Sequence, residues 1–170
     1  MNKKIFLAFA FLLPLSLMAQ DLKFGFFNRT EIFQNMPEYL AATKKIEDLA
    51  LTYDTELKSI QEEYQKKGSE FIAAKDSLPE AIKTRRMAEI QGIQERLDAF
   101  YQESQKEIQK TQQELLTPVN TKMLNAVKAV GNEQGFVYIL DTSVNAVLMY
   151  WSPDKCVDVT PLVRAKLNMK

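Results

Sequence analysis

The chain has 170 residues, with 22 basic and 22 acidic side chains, a single cysteine and no histidine. Balanced charge offers no broad positive field for nucleic acid, and the missing histidine removes the commonest general base and metal ligand. There is no Gly-rich phosphate loop, Cys/His cluster or nucleophile elbow. An enzyme is therefore not expected, and no catalytic residue, cofactor or metal ligand is assigned. Cys156 cannot form an internal disulfide, so burial is its expected state.

Residues 1–19 read as a secretory signal peptide. Asn2-Lys3-Lys4 is a short basic start, Ile5 to Leu17 is apolar apart from Ser16, and Leu17-Met18-Ala19 ends on a small residue. The run is shorter than the roughly 18 apolar residues a membrane span needs. The mature chain is expected to start near Gln20, beyond the inner membrane, carrying two more acidic than basic groups once Lys3 and Lys4 are gone.

Leu22 to Phe27 reads as a short strand, apolar or small on both faces. Asn28-Arg29-Thr30 is a turn in which Thr30 could cap a brief helical segment from Glu31 to Asn35. The same three residues match an N-glycosylation sequon. Pro37 suits the first turn of the helix that follows.

From Glu38 to Glu133 the sequence is dense in Glu, Lys, Gln, Ala and Leu, all strong helix formers. It breaks once, at Asp76-Ser77-Leu78-Pro79. Two long helices in an antiparallel hairpin are predicted. Ile46, Ala50, Tyr53, Leu57, Ile60, Tyr64, Lys67, Phe71, Ala74 and Leu78 alternate spacings of four and three, a heptad seam with one polar member. Ile82, Ile90, Ile93, Leu97, Phe100, Ser104, Ile108, Thr111 and Leu115 give a looser seam on the second helix. At the tip, near residues 75–80, Lys75, Lys83, Arg85 and Arg86 outnumber Asp76 and Glu80. The tip has two readings, a weak contact with anionic lipid and a plain solvated turn with Ser77 as N-cap. Asp76-Ser77-Leu78 also resembles a short O-glycosylation acceptor pattern of some Gram-negative bacteria. Pro118 should kink the second helix, as a hinge where arm meets base. Beyond it Met123, Val127 and Val130 form an ordinary apolar stripe.

Gly135 suits a helix C-terminus. Phe136 to Leu140 and Ala146 to Trp151 are β-rich runs on either side of a turn, read as a hairpin. A last short helix follows Asp158, with Thr160 as cap, Pro161 at N1 and Leu162, Val163 and Leu167 packing it down. The fold class is thus α+β and mostly helical. Phe24, Phe26, Phe27, Tyr138, Leu148, Tyr150 and Trp151 are more apolar surface than one small sheet can hide, so the base is expected to oligomerise. The boundaries are residues 20–37 with 118–170 for the β body and 38–117 for the arm.

The order of these features resembles the Skp/OmpH family of periplasmic chaperones. The resemblance rests on Phe24-Gly25-Phe26-Phe27-Asn28, Ile32-Phe33, Met36-Pro37-Glu38-Tyr39, the charged hairpin, Leu116-Thr117-Pro118-Val119, Gly135 to Asp141 and Asp158 to Val163. It spans the whole mature chain. It implies a homotrimer in which a small β body forms an intersubunit barrel and three helical arms surround a cavity. It implies a periplasmic holdase that binds unfolded outer-membrane proteins there without ATP and prevents their aggregation. Apolar residues off the main seam are the candidates to line the cavity: Leu49, Ile72, Met87, Tyr101 and Leu116. Near-neutral charge departs from the strongly basic members of the family, and Asn28 stands where an Asp is common. The alternative function is a structural coiled-coil adaptor of the envelope with one dedicated partner.

Overall fold

A computed structural model describes residues 22–144 and 150–169. The segment read as a signal peptide lies outside the described residues, as do Leu148 and most of the expected second hairpin strand. The described chain is mostly helical. Its elements are β1 (Lys23–Phe27), α1 (Arg29–Asn35), α2 (Pro37–Ala74), a 3-10 turn (Lys75–Ser77), α3 (Glu80–Gln134), β2 (Phe136–Asp141), β3 (Val157–Asp158) and α4 (Thr160–Lys166). The chain divides into two compact units. One takes the described residues up to Ile32 together with those from Leu124 onward, and the other is Phe33–Met123.

Among the described residues, the first unit is built on a three-stranded sheet of order β2-β1-β3. Both pairings are parallel: Phe24 lies beside Tyr138, Phe27 beside Asp141, and Gly25 beside Val157. Among the described residues the strand added beside β1 is Val157–Asp158, which the sequence did not bring forward; of the run expected as the second hairpin strand only Tyr150 and Trp151 are described, and both are irregular. Long connections permit this. Parallel neighbours need a crossover of a dozen or more residues, and the helices between β1 and β2 supply one. Gly25 sits where β1 is closely covered, since a Cβ there would meet Val159 Cγ1 at 3.1 Å and the Phe136 ring at 3.2 Å. Gly135, at φ +68, ends α3 in the left-handed region and turns the chain into β2.

Three caps differ from expectation. Asn28, not Thr30, caps α1, its Oδ1 accepting the Glu31 N–H at 3.2 Å. Asp158 Oδ1 accepts the Thr160 N–H at 2.9 Å, while Thr160 Oγ1 accepts the Asn28 N–H at 3.3 Å, so the threonine ties α4 to β1's end. Ser77 donates backward to the Ala74 carbonyl at 2.8 Å and caps nothing ahead of it. Leu162 is exposed. Val159 takes its place, and Val159, Val163 and Leu167 are buried at helical spacing. Cys156 is half-buried and free.

In the second unit, every residue of the first seam is buried or half-buried. So is the second seam, except for Ile82, which is exposed. Cross-helix pairs run in opposite chain directions. Glu38 pairs with Lys122, Tyr53 with Phe100 (ring centroids 5.7 Å apart), Glu63 with Arg96, and Lys67 with Glu89 at 2.6 Å. Lys67, the polar member of the seam, therefore has a carboxylate opposite it. Pro118 stands inside α3, which is helical on both sides of it. No helix among the described residues is long and apolar enough to cross a membrane.

Candidate functional site

Helix faces turned away from a two-helix seam are normally charged. On the described chain Ile72, Met87 and Tyr101 break that rule. They are 67%, 57% and 55% exposed although apolar or aromatic. Ile72 and Met87 come together near the turn between α2 and α3. They line an open groove of about 750 Å³ whose other walls include Tyr64, Gly68, Phe71 and Ile90. Gly68 lies inside α2, where glycine costs roughly 1 kcal/mol relative to alanine. A Cβ at Gly68 would meet nothing within 4 Å. Packing thus gives no reason for glycine there, and the bare backbone widens the groove.

Charge borders this apolar floor. Ile90 is shared with a polar notch formed by Lys67, Glu70, Arg86 and Glu89. The hydrogen bond between Lys67 and Glu89 holds the lysine above its ordinary pKa and the glutamate below its own, with smaller help from Glu70 and Glu63 for the lysine and from Arg85 and Arg86 for the glutamate. Farther along, the Lys122 hydrogen bond likewise lowers Glu38. At the turn itself, Lys83 is paired with Glu80 at 2.7 Å, which offsets part of the cationic cluster. Apolar floor and paired charges together make a surface that can hold an extended segment of mixed character. Among the described residues no group of three or more His, Cys, Asp or Glu is placed to hold a metal ion.

The remaining candidates lie elsewhere. Leu49 and Leu116 are half-buried, and neither they nor Tyr101 reach the groove. In the first unit, Phe24 stacks on Tyr138 with centroids 6.3 Å apart, and Phe26 tilts against Trp151 at 4.1 Å. Phe27 is already buried within one chain. Tyr138 and Tyr150 are 64% and 82% exposed.

A family model described as outer membrane protein (OmpH-like) matches residues 23–167. The chain belongs to the OmpH-like family. A crystal structure from Caulobacter crescentus CB15, of a candidate OmpH-like outer membrane chaperone, has a TM-score of 0.67 at 18% identity, covering 86% of this chain and 84% of that one. At that identity the likeness carries the fold alone. No curated protein matches the sequence.

This OmpH-like chain has features that periodicity did not bring forward. Leu40 and Leu51 are exposed on α2 and meet the same off-seam criterion as Leu49. Gly68 was visible as a glycine inside a helical run. Asp141 gave no sequence signal beyond its place at the end of a β-rich segment. Its Oδ1 accepts from the Arg29 and Ser143 N–H groups and the Ser143 hydroxyl, and its Oδ2 pairs with Arg29 Nε at 2.9 Å. That carboxylate fixes the start of α1 to the end of β2.

Proposed function

We propose that this OmpH-like protein is a periplasmic chaperone of the holdase type, which binds unfolded outer-membrane proteins without ATP and keeps them from aggregating. The observation that carries this reading is the exposed apolar set on charged helices, above all Ile72 and Met87 in one open groove beside Gly68. Unfolded barrel proteins present alternating apolar and polar side chains. A surface of small apolar sites between paired charges holds such a chain weakly at many points, and multivalency turns weak contacts into useful retention. Nothing in this scheme needs a nucleotide, which suits a compartment without ATP.

In this proposal residues 38–117 form an antiparallel hairpin arm. Support comes from the four cross-helix pairs running in opposite directions. Residues 20–37 and 118–170 form the body, with Pro118 as the hinge. Three bodies join through a barrel, so that three arms enclose a cavity. An open sheet leaves edges that ask for a partner, and the exposed Tyr138 and Tyr150 suit a covered face. A cleaved signal peptide delivers the chain, and the tip, with Lys75, Arg85 and Arg86 beyond the Lys83–Glu80 pair, touches anionic lipid weakly at most.

Titration of several unrelated, fluorescently labelled unfolded barrel proteins tests the reading. We expect binding to each, at comparable affinity and without nucleotide, and none to the same proteins once folded. Tight binding to one native envelope protein and to no unfolded client would favour the dedicated adaptor instead.

A further inference from the structure

Two glycosylation patterns stand in the sequence, and the fold treats them oppositely. At Asn28-Arg29-Thr30 the side-chain oxygen is engaged and the backbone is tied down. Asn28 is half-buried, its Oδ1 accepts the Glu31 N–H at 3.2 Å, and its backbone N–H donates to Thr160 Oγ1 at 3.3 Å. A transferase would have to unmake the first turn of α1 to reach it. At Asp76-Ser77-Leu78 the situation is reversed. Asp76 and Ser77 are exposed in the 3-10 turn that ends α2, and Leu78 is extended at φ −88, ψ 141. Other hydroxyls on these helices, such as Thr52, Thr55, Ser69 and Thr84, bond back to carbonyls of their own helix and sit in regular helical backbone. Elsewhere an Asp precedes a hydroxyl residue at Asp54-Thr55, inside α2, and at Asp141-Thr142, where Asp141 is committed to Arg29 and Thr142 Oγ1 donates to the Phe27 carbonyl. Ser77 alone combines the preceding acid, an apolar follower, exposure and a non-helical neighbour.

We propose that Ser77 is an O-glycosylation site, modified after export by a sugar carried on a lipid pyrophosphate. Ser77 Oγ forms a bond to the anomeric carbon as the bond from that carbon to the pyrophosphate oxygen breaks. The hydroxyl proton passes to a base on the transferase, and the lipid pyrophosphate leaves with the bonding electrons. The acceptor turn fits such an enzyme because the Ser77 hydroxyl is exposed, its side-chain bond is to the Ala74 carbonyl, and the chain leaves helical backbone at Leu78 directly after it. Phosphorylation, the other modification of an exposed serine, requires a nucleoside triphosphate that the proposed compartment lacks. A glycan here would add a bulky, hydrated group at the turn between α2 and α3, limiting how closely that turn approaches a membrane or another copy.

The mature chain, purified from the envelope of the cells that naturally make it, provides the test by intact and peptide mass. We expect the Ser77 peptide to carry a whole number of sugar residues, released by alkaline β-elimination. The increment should vanish in Ser77→Ala and in Asp76→Asn, which keeps the hydroxyl, and persist in Ser69→Ala. An unmodified Ser77 peptide in exported protein, an increment equal to phosphate, or a sugar that survives Ser77→Ala would each overturn the proposal.

Discussion

Single side chains carry unequal weight in this molecule. Asp141 gathers an ion pair and three hydrogen bonds at the junction of β2 and α1, all part-buried. Removing it strands the Arg29 guanidinium and two N–H groups with less water than they need. We expect Asp141→Ala to lower unfolding stability by about 2 kcal/mol, the scale for charged hydrogen bonds that are only partly shielded. Urea unfolding measures it, and a loss below about 0.5 kcal/mol would show that the junction holds without the carboxylate. Gly68 points the other way. Gly68→Ala should stabilise the chain by up to about 1 kcal/mol, since α2 gains propensity and no contact is lost. If the groove binds clients, the same change weakens that binding. Gly92→Ala, also open to solvent in α3 but outside the groove, should stabilise without affecting binding. Equal effects of both substitutions on binding would remove Gly68 from the site.

Among elements, α2 and α3 depend on their seam and on a few charged ties across it. The Lys67–Glu89 tie has a defined pH window. Glu89 is lowered in the folded chain, so its contribution is present above the ordinary glutamate range and fades as pH falls through the lowered value. Lys67 is raised, so its contribution is complete below the ordinary lysine value and fades as pH rises through the raised one. Both groups are solvated, which makes the effect small and salt-sensitive. Lys67→Met should therefore lower the thermal midpoint slightly at neutral pH, with the difference closing below the carboxylate range and in high salt. On the client side, Ile72→Ser with Met87→Ser should weaken binding of an unfolded barrel protein several-fold while leaving the helical circular dichroism unchanged, because both side chains are exposed. Unchanged binding would place the client surface elsewhere, with Leu40, Leu51 and Tyr101 next in line.

These two helices were also the most legible part of the sequence. A heptad repeat from Ile46 to Leu78 repeats one instruction many times, so isolated exceptions such as Lys67 do not obscure it. The small sheet was harder to read. Val157–Asp158 is two residues long, too short for any periodicity, and its strand character comes from pairing with Gly25 and Phe26. Side-chain roles near helix starts were misplaced by two residues where several polar side chains compete, as at Asn28 against Thr30 and Asp158 against Thr160. Leu162 was expected inside because it is apolar, but Val159, held by its N–H to the Phe26 carbonyl at 2.8 Å, already fills that side of α4. The groove was half legible: Ile72 and Met87 were visible as off-seam residues, whereas their convergence with Gly68 required the two helices side by side.

At the scale of the whole molecule, the exposed Tyr138 and Tyr150 ask for other copies. Sedimentation of the mature chain at micromolar concentration should give three times the chain mass, and a stable monomer would leave the cavity model without its walls. Function is decided by aggregation itself. A urea-unfolded outer-membrane barrel protein is diluted into buffer with and without the mature chain, in the absence of ATP, and light scattering is followed. We expect scattering to be suppressed at about one assembly per client. Unchanged scattering, with the protein folded and trimeric, would contradict the holdase reading and leave the arms as a docking element for one envelope partner.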